Sequence, residues 1–298
     1  MKSSRRTTSP RLGSAAGRHE NRGAIMWRQL RSFLLLWCFA AGVSPVAGAA
    51  DALVDVVGAT FKITNKSSTA TCFVVARPAA SDARQRELIV VTAAHVFEKM
   101  SGNECRIVLR KKGTDGTFAR NELPLKIRSE NKPLWVKHPE LDIAALKWQP
   151  PADQSIAALD LEQLAGESAI NNGTLGTADE VWVLCYPAQL EANGAGFPIL
   201  RRGAVASFPL APINRMQTYL VDYSTFAGDS GAPVVVRNQK DSREAAQRSL
   251  VVGLVIGQHR ETTKSISPNE ERVVHRTLGL AIVVHAEFIR QTIDRVPR

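Results

Sequence analysis

With 298 residues, 44% of them apolar and 22% charged, the chain can bury a full core and has room for one large domain or two small ones. Its formal charge of +10 first suggests nucleic acid or a membrane as partner, but the charge is unevenly placed. Residues 1–49 carry eight Lys or Arg against the single acid Glu20, a surplus of seven, which leaves +3 for the rest, an ordinary surface with no call for nucleic acid.

The basic leader has the layout of an export signal. Met26-Trp-Arg-Gln-Leu-Arg31 is a positive segment, Phe33–Val43 is an apolar stretch too short to span a bilayer comfortably, and Val46-Ala-Gly-Ala-Ala50 offers an Ala-x-Ala cleavage site after Ala49. The first twenty-five residues are then either an extended positive region or sequence upstream of a true start at Met26. A retained anchor is the competing reading. The expectation is a secreted or periplasmic protein with no stable membrane span after cleavage. Trp37 stands where a lipoprotein signal before Cys38 would need a small residue.

Beyond the leader, short β-branched runs alternate with turn residues, the pattern of an antiparallel all-β protein. Strands are expected at Val54–Thr64, Cys72–Ala76, Leu88–Thr92, Arg106–Lys111, Leu141–Lys147, Val181–Tyr186, Ala204–Phe208, Gln217–Asp222, Val234–Arg237, Leu250–Ile256 and Leu278–Val284. Gln149–Glu180, rich in Pro, Ala, Gly and Asp, reads as a connection between two barrels, the first over about 51–150 and the second over about 175–285. Asn238–Ser249 and Gln258–Arg272 read as polar insertions. Ala286–Val296 has helical spacing, with Phe288, Ile289 and Ile293 on one face, and is expected to pack on the second barrel.

Three residues in this framework attract chemistry. His95 ends the apolar strand Leu88-Ile-Val-Val-Thr-Ala-Ala-His95, where Ala93 and Ala94 allow close approach of neighbouring chain; a packed core histidine is the alternative. His259 and His275 flank a polar segment, and His285 follows an apolar run and reads as structural. Asp142 interrupts the apolar run Leu141–Leu146, and a carboxylate buried there needs a partner: an imidazole N–H, a backbone cap, or a cation such as Lys147. Ser230 sits between glycines in Thr225-Phe-Ala-Gly-Asp-Ser-Gly-Ala-Pro-Val-Val-Val236. Taken alone, that stretch is either a turn into a buried strand or a nucleophile whose flanking amides, those of Gly228 and Ser230, converge on one point.

The order His95, Asp142, Ser230 is the chymotrypsin order of a Ser-His-Asp triad. With Thr92-Ala-Ala-His95, Asp142-Ile-Ala-Ala-Leu146 and Gly228-Asp-Ser-Gly231 in place, the sequence resembles the trypsin-like serine peptidases. Val181-Trp-Val-Leu-Cys-Tyr-Pro187, Leu200–Ser207 and Leu278-Gly-Leu-Ala-Ile282 look most like the bacterial HtrA-like type. Such proteins usually have asparagine where this chain has Asp229 and continue into PDZ domains, for which no room follows here. The resemblance implies two antiparallel six-stranded β-barrels with a short C-terminal helix, and a serine endopeptidase acting through an acyl-enzyme. His95 would serve as base, Asp142 as its orienting acid, Ser230 as nucleophile, and the amides of Gly228 and Ser230 as oxyanion hole. An inactive homologue that binds peptides or a partner is the runner-up reading, and a non-peptide ester hydrolase a third.

The resemblance further places the primary specificity pocket at Ser224, with walls from Val255-Ile-Gly-Gln258, so that Ser224, Ile256 and Gln258 become candidate substrate contacts. No carboxylate aligns at its base, which favours a small or medium apolar side chain, unless Asp222 points inward. In chymotrypsin-like enzymes the acid at position 229 pairs with an N-terminus freed by cleavage. Val56-Val57-Gly58-Ala59 has a passing likeness to such an end but reads better as first strand, leaving backbone amides or a basic side chain to satisfy Asp229. Of three cysteines beyond the leader, Cys72, Cys105 and Cys185, one must stay unpaired within the chain, and Cys72 with Cys105 is a possible bridge. No metal-ligand spacing occurs, so no cofactor is expected; the partners are protein or peptide substrates.

Overall fold

The computed structural model describes residues 53–298 apart from 67, 81, 83, 238–248 and 268–269. The leader and its signal layout, and most of the Asn238–Ser249 insertion, therefore lie outside the described residues.

The first half opens on a short helix, α1 (Val54–Ala59), followed by β1 (Thr60–Asn65), β2 (Ser68–Pro78), β3 (Arg86–Thr92), helix α2 (Ala94–Lys99), β4 (Glu104–Lys112) and β5 (Phe118–Lys126). Short strands β6 (Arg128–Ser129), β7 (Lys132–Pro133) and β8 (Trp135–Lys137) lead to β9 (Ala144–Trp148) and β10 (Leu159–Asp160). The main sheet runs β5-β4-β1-β2-β3-β9-β8, with β10 beside β2 and β6 paired with β7. Runs such as Cys72–Val75 and Ile89–Val91 are fully buried, because this sheet curls around a core of Phe73, Phe97, Ile107 and Ile143.

In the second half, α3 (Ser168–Asn171) precedes β11 (Glu180–Cys185), β12 (Ile199–Val205), β13 (Thr218–Asp222), β14 (Pro233–Val236), β15 (Leu250–Ser267) and β16 (Glu270–His285), and α4 (Ala286–Asp294) closes the chain. These six strands form a closed barrel in the order β11-β12-β13-β16-β15-β14, so none of them is left as a free edge along the ring. Its own core holds Val183, Val221, Val234, Val252 and Val283. The all-β, two-barrel expectation is met, with the short C-terminal helix in place.

Three local expectations are corrected. Val54–Ala59 is helical, not strand; its end is tied by Thr60 Oγ1 donating to Val56 O (2.7 Å). The Gln258–Arg272 insertion is largely strand: β15 and β16 continue outward as a paired ribbon, from Arg260–Thr277 to Ser267–Glu270, in which residues 259–265 face water and the ladder satisfies the backbone. α4 packs its Phe288, Ile289 and Ile293 into the first-half core as well as against β15 and β16, and so joins both halves instead of capping the second alone. Strand β5 was not foreseen, since its residues are mostly exposed and include Pro124, and only its pairing with β4 makes it a strand.

Cys72, Cys105 and Cys185 are all free and buried. The bridge between Cys72 and Cys105 is not formed. β1 lies between their strands, with Cys72 opposite Phe61 while Cys105 lies one step beyond the Thr64–Arg106 pair at the other end of β1. Burial pushes all three thiols up, that of Cys105 to about 12, which makes them packing groups and not nucleophiles.

Candidate active site

Strand β3 delivers its last side chain, Thr92, to the junction of the two halves. Ala93 stays extended, and the chain then turns into α2, so His95 projects from the first turn of a helix. Both alanines before it are fully buried, which explains why this approach tolerates only small residues. Asp142 lies in the loop between β8 and β9. Its Oδ1 accepts the backbone N–H of His95 (2.8 Å), its Oδ2 stands 2.5 Å from His95 Nδ1, and its carbonyl accepts the Ala94 N–H (3.3 Å). Because a carboxylate can only accept, Nδ1 carries the proton, and Nε2 is left as the acceptor that faces Ser230 Oγ at 3.0 Å. Burial alone would raise the Asp142 carboxyl, but the side-chain and backbone hydrogen bonds from His95 outweigh it and hold the group ionised, below the usual carboxylate range.

The loop bearing Asp142 is set by a residue that sequence reasoning passed over. The buried His138 takes the backbone N–H groups of Glu140 and Leu141 on Nδ1 (3.2 and 3.1 Å), and its ring meets Phe288 of α4 edge-on at 5.6 Å. Accepting at Nδ1 requires the neutral ring, and burial lowers the pKa of His138 in that direction. A histidine three residues before an acid-bearing apolar run was the only available signal.

Ser230 lies in a turn held from several sides. Gly228 (φ +106°) and Gly231 (φ +86°) occupy backbone conformations that side chains rarely allow. Space forbids a side chain as well: a Cβ at Gly228 would stand 2.1 Å from Tyr186 O, and one at Gly231 would stand 2.1 Å from Thr71 O. Thr71 of β2 clasps the turn, its N–H donating to Ser230 O (3.0 Å) and its Oγ1 to Gly228 O (2.7 Å), while the same oxygen accepts the Tyr186 N–H (3.3 Å). Thr71 was not singled out from the sequence, although a threonine within a fully buried apolar strand is a polar group in need of partners.

The two amides flanking the serine are oriented through their carbonyls. Ala227 O accepts the Ala188 N–H (2.7 Å) and Asp229 O accepts the Ala232 N–H (3.0 Å). In a planar trans peptide the N–H points opposite to the C=O, so the N–H groups of Gly228 and Ser230 face the other way. Among the described residues neither has an acceptor, and both residues line the same cavity as Ser230 and His95. Ala188 (φ +48°) and Gln189 (φ +71°) supply this support from left-handed backbone unusual for non-glycine residues, tied down by Lys62 Nζ on Gln189 O and Glu191 Oε1 (both 2.9 Å).

Asp229 is 1% exposed. Its Oδ2 accepts the Phe226 N–H (2.9 Å), an Arg201 N–H (3.3 Å) and the Tyr223 O–H (3.4 Å), and its Oδ1 has no partner among the described residues. The expectation of a backbone amide and a basic side chain therefore describes its surroundings, with a tyrosine added, and burial raises its carboxyl against these contacts.

A cavity of about 570 Å³ opens beside Ser230, lined on one side by Thr225–Ser230 and on the other by Val255–Gln258. Ile256 and Gln258 lie in this lining. Ser224 does not: it is exposed, and Thr225 takes its place, because alternation along the extended segment after β13 turns Tyr223 and Thr225 inward. Asp222 is exposed at the end of β13 and does not reach the cavity. His259 and His275 are exposed on the ribbon, and His285 is buried against the Tyr219 ring at 4.7 Å. Among the described residues no cluster could hold a metal ion, and no helix is long and apolar enough to cross a membrane.

Closed second barrel, curled first sheet, and a Ser-His-Asp constellation at their junction together define a trypsin-like serine protease. The chain belongs to that family: the model of the trypsin-like peptidase domain matches residues 70–241, more than half of the sequence. Among solved structures it is similar to that of Rv3671c from M. tuberculosis H37Rv, determined as a serine-to-alanine mutant in the inactive form. The two share 16% identity over 86% of this chain and 95% of that one, with a TM-score of 0.43. A comparison with curated proteins returns no match.

Proposed function

We propose that the protein is a secreted or periplasmic serine endopeptidase that acts on protein or peptide substrates through His95, Asp142 and Ser230. Ser230 Oγ attacks the scissile carbonyl carbon while its proton passes to His95 Nε2. The tetrahedral oxyanion sits between the N–H groups of Gly228 and Ser230. On collapse the C–N bond breaks, His95 returns the proton to the leaving amine, and the acyl group remains on Ser230. Water, deprotonated by His95, then attacks the ester and frees the serine. Asp142 fixes the imidazole tautomer and stabilises the imidazolium.

The observation that carries this reading is the pair of N–H groups left without acceptors, combined with the 3.0 Å approach of His95 Nε2 to Ser230 Oγ. The export signal in residues 26–50 supports the location, and Leu278-Gly-Leu-Ala-Ile282 with Val181–Pro187 supports the finer likeness to the HtrA-like type. Incubating the mature chain with a peptide library, alongside Ser230→Ala, tests the proposal: cleavage by the wild type alone is expected. Cleavage that survives the substitution overturns the mechanism, and no cleavage by either protein in folded form returns the chain to the peptide-binding reading.

A further inference from the structure

From the lining of the cavity beside Ser230 we infer that the peptidase selects an acidic side chain, that of Glu or Asp, immediately before the scissile bond, and that Arg260 is the residue that selects it. This rests on the peptidase reading of Ser230. It replaces the apolar preference suggested by the sequence, in which Arg260 belonged to a polar insertion; the structure makes it part of β15, two residues after Gln258, and puts it in the lining.

The charge that faces the cavity is positive. Its ionisable residues are His95, Lys99, Asp229 and Arg260. Asp229 is turned inward onto Phe226, Arg201 and Tyr223 and is almost wholly buried, so its charge is spent behind the turn. Lys99, on α2, lies at the His95 end. Arg260 belongs to the Val255–Gln258 wall and has no carboxylate partner among the described residues.

Arg260 is also held in place. Gln258 meets Thr225 Oγ1 with one end of its amide. With the amide nitrogen on that side, its oxygen accepts from Arg260 Nε (3.0 Å) and Nη2 (2.9 Å); the opposite orientation lets the oxygen accept from the Thr225 hydroxyl but sets the amide nitrogen, a donor, against the guanidinium. Two consequences follow. The guanidinium spends two of its donors on Gln258 and keeps the rest for a ligand. Thr225, now the acceptor from Gln258, has its own O–H free to donate, and it is a buried residue of the lining. A fixed guanidinium and a free hydroxyl, flanked by the apolar walls of Phe226, Val255 and Ile256, match a carboxylate on a short methylene stem. A lysine side chain in the same place would face Arg260 without any exposed acid.

The test uses fluorogenic peptides that differ only in the residue before the scissile bond, Glu, Gln, Leu or Lys, together with binding of the corresponding product peptides to Ser230→Ala. Glu is expected to exceed Gln roughly ten- to a hundredfold in kcat/KM, and to bind Ser230→Ala more tightly by a similar ratio. Arg260→Gln, its folding checked by melting temperature, should bring the Glu-to-Gln ratio near one; Arg260→Lys should keep part of it, and Arg260→Glu should turn the preference toward Lys. Equal handling of Glu and Gln by the wild type, or a ratio untouched by Arg260→Gln, overturns the inference. If no peptide is cleaved but the Glu-selective binding to Ser230→Ala persists and needs Arg260, the anion pocket stands and the peptidase reading falls.

Discussion

The two corners that meet at the candidate active site are secured in different ways. The His95–Asp142 corner is built within one sheet: β3 and β9 are hydrogen-bonded neighbours, and the loop before β9 returns Asp142 to the start of α2, so carboxylate, imidazole and the adjoining amides hold one another within a short span of structure. The Ser230 turn borrows its shape. Thr71 comes from the first half, Tyr186 and Ala188 from the segment after β11, and Gly231 donates its N–H to Val255 O (2.8 Å) on β15. Apart from His138, whose ring packs on Phe288 of α4, the first corner needs only residues of its own sheet and loop to be right, whereas the borrowed one fails when a distant strand shifts. Acid-base chemistry should accordingly be more tolerant of mutations outside its motif than the oxyanion hole is.

The largest effects break either corner at its centre. Ser230→Ala or Asp142→Asn should lower kcat by about 10⁴-fold or more, measured as steady-state cleavage. Asp142→Asn should still fold, since an amide fits the same space, but it can stabilise the wrong tautomer of His95. Next, Gly228→Ala should cost about 10²–10³-fold, because its Cβ collides with Tyr186 O and turns the Ala227–Gly228 peptide. The loss should appear in kcat more than in KM.

A smaller effect sharpens the contrast. Thr71→Val keeps the strand and its volume but removes the hydroxyl that joins Gly228 O to the Tyr186 N–H, so kcat should fall by roughly tenfold and the melting temperature by several degrees. A surface change beside the other corner, Lys137→Gln, loses an exposed pair with Glu98 and should be near neutral. If Lys137→Gln costs as much as Thr71→Val, the distinction between a self-contained and a borrowed corner is wrong.

How much of this was legible follows the same division. The three triad residues and the flanking glycines were visible because each motif is contiguous, and the strands that carry them are long apolar runs. Thr71, Ala188 and His138 were not, because what they do depends on Gly228, Ala227 and Phe288, which lie 157, 39 and 150 residues away, contacts that only the fold creates. The barrels were legible from alternating short runs, while α1 and the β15–β16 ribbon were misread. A β-branched stretch such as Val54–Ala59 favours strand locally and becomes helix through its tertiary setting. In the ribbon, exposed polar residues hide a ladder that is satisfied strand to strand. Ser224 was misplaced by a single residue, and in an extended segment one residue reverses the face.

One further expected effect concerns stability and not catalysis. Burial lowers His285 from 6.5 to about 4, and the ring is neutral in the fold. Above 6.5 the folded and unfolded chains hold the same protons and His285 contributes nothing pH-dependent. Between 6.5 and 4 the unfolded chain binds a proton that the fold refuses, so stability falls with pH across that window, by about 3 kcal/mol at its lower end. Urea melts at pH 7 and pH 4.5 should show the slope, and His285→Leu should flatten it.

The central claim, that a formed oxyanion hole and an aligned triad meet at Ser230, is tested most directly by intact-mass measurement after exposure to a fluorophosphonate. The account predicts one adduct per chain, on Ser230, formed rapidly by the wild type, strongly slowed in Gly228→Ala and His95→Ala, and absent in Ser230→Ala. A folded wild-type protein that forms no adduct, or an adduct that persists in Ser230→Ala, would contradict it.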